Sequence, residues 1–119
     1  MTVINKETAG APKIAPLGER IYEMIGPPEV EAMSLALVEV ASGDGSPKHI
    51  HKKLTEIYIV TKGQMKLVVD AEESTLNPGD AALIKPGQVH QLFNEGKETL
   101  EFWVPTAPAW YAEDFHEVE

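Results

Sequence analysis

The chain alternates short apolar runs with breaks rich in Gly, Pro and Asn. Residues 55–61 read Thr-Glu-Ile-Tyr-Ile-Val-Thr and residues 64–70 read Gln-Met-Lys-Leu-Val-Val-Asp. β-Branched and aromatic side chains fit a pleated, half-buried surface, so both runs predict strands. Only Lys62-Gly63 separates them, which predicts a hairpin. Further strands are expected over 17–25, 31–41, 81–84, 90–93 and 99–104. The breaks between them carry turn chemistry: Ser42-Gly43-Asp44-Gly45-Ser46-Pro47, Asn77-Pro78-Gly79-Asp80, Lys85-Pro86-Gly87 and Asn94-Glu95-Gly96-Lys97. No segment holds a sustained helical period with caps, and only a short helical turn is allowed within 108–115. Many short strands with Gly/Pro turns predict an all-β sandwich or barrel. Residues 1–16, rich in Ala, Pro and Gly, read as an arm, 17–107 as the barrel and 108–119 as an acidic tail.

Alternation assigns faces. Met65, Leu67 and Val69 share one side of their strand, as do Leu100, Phe102 and Val104 of the last one. These sets should point inward, with Lys66, Glu101 and Trp103 outward. A length of 119 residues fits one domain. Ten basic against nineteen acidic residues give a net charge of −9. Such a surface repels phosphate backbones and anionic lipid, which argues against nucleic-acid and membrane partners. There is no cysteine, so disulfides, thiolate metal sites and thiol nucleophiles are excluded. The N-terminal residues lack the apolar core of a signal peptide, and no apolar run approaches the roughly 18 residues of a spanning helix. The chain therefore reads as cytoplasmic.

Three of the four histidines form a pattern. His49 and His51 are two apart, which on a strand puts both imidazoles on one face. Glu56 opens the next strand, and the loop between could bring its carboxylate to the same centre. His90 opens a later strand after a Pro-Gly turn. On its own a His-x-His pair is more often a surface or packing feature. Together, three imidazoles and one carboxylate could ligate a divalent ion and leave positions for water or substrate.

The spacing carries further information. Gly43, five residues, His49-Ile50-His51, four residues, Glu56, six residues and Gly63 form one block. Gly79, five residues, Lys85-Pro86-Gly87, two residues, His90, three residues and Asn94 form a second. These blocks resemble the two signature motifs of the cupin superfamily, the second departing only at Lys85, where the family usually has Pro. The resemblance implies a small single-domain cupin with a double-stranded β-helix, or jelly-roll, barrel. It implies that His49, His51, Glu56 and His90 hold a metal near one barrel mouth, with Mn, Fe, Co, Ni and Zn all compatible. Neutral imidazoles, one carboxylate and a divalent ion sum to about +1, which would favour a small anionic or carbonyl-bearing ligand.

Tyr58 shares a strand face with Glu56 and is the candidate catalytic acid or base, although an aromatic there also serves as barrel wall. Gln91 and Asn94 are candidate donors behind the ligands, Asn94 doubling as a turn residue. Trp103, Trp110, Tyr111 and Phe115 exceed what solvent exposure tolerates near one end of a small chain. Either the tail folds back on the barrel or they enter an interface, and since small cupins are commonly dimers a homodimer is expected. Glu113, Asp114, Glu117 and Glu119 read as a solvated end, and His116 as a surface residue. The function expected is a metal-dependent enzyme on a small oxygen-bearing substrate. Dioxygenase-like oxidation and lyase or isomerase chemistry stand level. The alternative is a non-catalytic cupin that binds or senses a small ligand.

Overall fold

In a computed structural model covering residues 1–119, eleven strands form two antiparallel sheets. The first sheet contains β1 (Lys13–Ile14), β2 (Arg20–Ile25), β3 (Ser34–Val40), β10 (Leu100–Ala107), β5 (Thr55–Lys62) and β8 (Ala81–Ile84), in that spatial order. The second contains β11 (His116–Glu117), β4 (His49–Ile50), β9 (His90–Phe93), β6 (Met65–Val69) and β7 (Glu72–Leu76). This is a jelly-roll double-stranded β-helix. The only helical element is a 3₁₀ turn over Ala112–Asp114, and no helix is long and apolar enough to cross a membrane.

The core lies between the sheets, where the inward alternates meet. Val40, Val60, Met65, Leu92 and Leu100 are fully enclosed, and Leu67 and Phe102 nearly so. Glu101 and Trp103 face outward, as alternation requires. A smaller apolar cluster forms on the outside of the first sheet. There Tyr22, Met24 and Leu37 pack with Trp103 and are covered by Ile4 and Ala9 of the N-terminal residues.

Two expectations are corrected. The β5–β6 hairpin does not form: β5 pairs with β10 and β8, and β6 with β7 and β9. Lys62-Gly63-Gln64 is instead a corner at which the chain leaves one sheet for the other. Gly63 makes the corner possible. Its φ is +74°, and a Cβ there would stand 2.8 Å from the Thr99 carbonyl oxygen. The true hairpin joins β6 to β7 through Asp70 and Ala71, both at positive φ. β7 had no apolar signature because it is an edge strand whose residues Glu72 to Thr75 are all exposed.

Candidate metal centre

His49 lies on β4 and His90 directly opposite it on β9, as register partners in the second sheet. His51 follows one residue beyond β4, on the face His49 occupies. Glu56 enters from β5 of the facing sheet. All four side chains are buried, with exposures of 5% (His49), 3% (His51), 4% (Glu56) and 1% (His90). One ligand atom from each lies within 4.8 Å of the others. The structure thus brings together all four residues expected from the spacing, in a buried group that fits a divalent ion.

The hydrogen bonds behind the rings fix their chemistry. His49 Nδ1 is 2.8 Å from the Pro47 carbonyl, His51 Nδ1 2.8 Å from that of Asp114, and His90 Nδ1 2.9 Å from that of Gln88. A carbonyl only accepts, so each Nδ1 carries the proton and donates. A neutral ring then presents its Nε2 lone pair to the centre. Glu56 Oε1 lies 3.3 Å from both His51 Nε2 and His90 Nε2. Facing lone pairs at that distance repel, and a cation between them, a metal ion or a ring proton, relieves the repulsion. Consistently, Glu56 Oε1 and His90 Nε2 are buried without a hydrogen-bond partner, a costly arrangement for polar atoms that a metal ion relieves. Burial first, then the neighbouring His90, pushes the His49 imidazole down to about 4, so it is neutral near pH 7.

The centre opens on a cavity of about 670 Å³ between the sheets. Ile21, Val38, Phe102 and Val104 give it apolar walls, and Glu19 and Tyr58 add titratable groups. Tyr58 faces inward beside Glu56 and packs 5.1 Å from the Phe102 ring. Burial, then the carboxylates of Glu56 and Glu19, push its phenol well above the ordinary value. In the metal-free chain the hydroxyl therefore stays protonated near pH 7. Glu19, just before β2, gave no signal in the sequence because it belongs to no motif. Desolvation, and then Glu56, raise its carboxyl to about 7, with His90 opposing.

The C-terminal residues correct another expectation. The tail folds back, Phe115 stacking on the His49 ring at 4.8 Å, while Trp110 stays exposed. Asp114 is buried rather than solvated. Burial alone would raise its carboxyl, but backbone N–H donors from Lys53, Leu54 and Lys52 outweigh that and hold it below the usual value. Gln91 does not support the ligands, since its amide donates to the Ser46 carbonyl. Asn94 is a buried clamp for its loop, donating to the Val40 and Glu98 carbonyls at 2.9 and 2.8 Å. Lys48, Lys52 and Lys53 are exposed.

The family model for the cupin domain matches residues 36–105, a stretch that includes all four converging residues. The chain belongs to the cupin family. Among curated relatives, germin-like protein 9-1 of Oryza sativa subsp. japonica is 30% identical over 77 residues, 59% of this chain and 31% of that protein. The chain thus spans about a third of that relative's length. Among solved structures, the polyketide cyclase RemF from Streptomyces resistomycificus superposes with a TM-score of 0.85 at 21% identity, covering 100% of this chain and 86% of that one. A predicted oxalate decarboxylase from Thermotoga maritima gives 0.82 at 18%, covering 90% and 99%. KdgF from Halomonas sp. gives 0.81 at 14%, covering 95% and 97%. At these identities the cupin fold is what the chain shares with them.

Proposed function

We propose that this cupin is a metal-dependent enzyme acting on a small organic substrate that carries a carbonyl or carboxylate oxygen. The observation that carries the reading is the buried convergence of three Nε2 lone pairs and one carboxylate at the wall of an apolar cavity. His49, His51, Glu56 and His90 would hold the ion, with Mn, Fe, Co, Ni and Zn all suited to such a donor set. When bound, the ion supplies Lewis-acid polarisation of a substrate oxygen.

The remaining work falls to side chains facing the cavity. Tyr58, kept protonated, donates a hydrogen bond or a proton to the polarised substrate. Glu19, raised to about 7 in the metal-free chain and ionised more readily beside a bound cation, accepts or returns a proton. Two proton-handling groups beside an apolar cavity favour lyase or isomerase chemistry over oxidation. Phe102, Val104 and Ile21 exclude water from the carbon skeleton. A homodimer in the cytoplasm belongs to the same proposal. The exposed cross-strand pair Ile57–Leu83 and the exposed Trp110 offer apolar surface for it.

The test is to incubate the metal-loaded chain in D₂O with a panel of 2-oxo acids, β-dicarbonyls and hydroxy acids, followed by NMR. Metal-dependent deuterium uptake or turnover, absent in His49→Ala, is the expected result. A ligand-dependent thermal shift without turnover would make the protein a binding module instead. No response to any compound would refute both readings.

A further inference from the structure

Between His51 and Glu56 the chain turns through Lys52, Lys53 and Leu54, and the geometry of two metal ligands depends on that turn. Its three backbone N–H groups all donate to one carboxylate, that of Asp114, each at 3.0 Å. The main-chain oxygen of the same residue accepts the Nδ1–H of His51 at 2.8 Å. Asp114 is 3% exposed. On either side of it the tail continues the grip. Phe115 lies on the His49 ring, β11 pairs with β4 through His116↔Ile50 and Glu117↔His49, and Val118 N–H donates to the Lys48 carbonyl at 2.9 Å.

We propose that Asp114 is a positioning residue of the metal centre, clamping the ligand turn with its carboxylate and orienting His51 with its carbonyl. The proposal rests on the metal-binding reading. The carboxylate is occupied by three N–H donors, so Asp114 is not a fifth ligand. It acts through the backbone of the turn and through His51. A turn held in one conformation before the ion arrives spares the ordering cost that a free loop would incur on binding. Groups that orient metal ligands in this way are typically worth about 10–100-fold in affinity.

The experiment is a titration with Co²⁺, read by its visible absorption and by calorimetry, on wild type and Asp114→Asn. Leu76→Ala, a core truncation at the far edge of the second sheet, serves as a control for general destabilisation. The expected result is Co²⁺ binding weakened about 10–100-fold in Asp114→Asn with an altered absorption envelope. Leu76→Ala should bind normally despite its lower melting temperature. Asp114→Asn binding within threefold of wild type overturns the proposal, as does an equal loss in Leu76→Ala.

Should the Asn variant fail to fold, hydrogen exchange on the wild type decides. By linkage, if the clamp raises metal affinity, metal must tighten the clamp. The amides of Lys52, Lys53, Leu54 and Val118 should exchange at least ~10-fold more slowly with saturating Co²⁺. Unchanged exchange in the loaded protein overturns the proposal. A wild type that takes no Co²⁺ at all overturns the metal reading, and this inference with it.

Discussion

Replacing Glu19 by Gln should change how stability depends on pH in the metal-free chain, and the direction follows from the site. The folded state holds the Glu19 carboxyl at about 7 against an ordinary value of 4.5, because burial and the Glu56 carboxylate disfavour its charge. Folding therefore favours the protonated carboxyl, so Glu19 contributes stability at low pH that is lost as pH rises through 7. At about 1.4 kcal/mol per pH unit the full effect is about 3 kcal/mol. Glu19 is half-buried and faces an open cavity, so solvent screening trims this to about 2 kcal/mol. His49 works in the opposite sense: lowered to about 4, it removes stability as pH falls below its ordinary 6.5. That contribution is common to both proteins and cancels in the comparison. Urea unfolding by circular dichroism in EDTA, at pH 5 and pH 8, gives the difference. Glu19→Gln should gain about 2 kcal/mol on wild type between the two, and saturating Zn²⁺, which favours the ionised carboxylate, should shrink the gain. Parallel pH profiles for the two metal-free proteins would refute the desolvation of Glu19 beside Glu56.

Other outcomes are equally specific. Gly45→Ala should destabilise by about 1–3 kcal/mol, since its Cβ would stand 2.5 Å from the Leu92 carbonyl oxygen, a backbone atom that cannot swing away. A neutral urea midpoint would contradict that packing. Asn94→Leu should cost about 3 kcal/mol by leaving the Val40 and Glu98 carbonyls and the Gly96 N–H without their partner. A loss below about 0.5 kcal/mol would show the clamp to be dispensable. Phe102→Ala should cost about 3–5 kcal/mol because the ring is 1% exposed and packs on Tyr58. A smaller loss by thermal unfolding would mean that the cavity wall collapses around the gap.

The parts of the fold legible in the sequence were those governed by local chemistry. Alternation in Met65–Val69 and Leu100–Val104 assigned the faces correctly because one side of each strand is buried. The spacing of His49, His51, Glu56 and His90 pointed to the centre through its resemblance to the cupin motifs, and β4, β9 and the start of β5 bring the four together. What escaped depends on distant parts of the chain. Which strand β5 pairs with is decided by β10 and β8, not by the two residues that follow it, so a short link looked like a hairpin. Glu72–Leu76 pairs at an edge, where no buried face imposes a period. Asp114 looks like any acid in an acidic tail until its partners, some sixty residues upstream, are known. Glu19 is raised by its surroundings, which only the folded cavity supplies.

The central claim is that three Nε2 lone pairs and the Glu56 carboxylate form a centre for one divalent ion. Metal content by mass spectrometry tests it most directly, on untagged protein purified without chelator and then reloaded, beside a His49→Ala/His90→Ala double variant. The predicted result is about one ion per chain in the wild type and none in the variant, both remaining folded. A wild type that stays empty after exposure to Mn, Fe, Co, Ni and Zn, or a double variant that loads equally well, would contradict it.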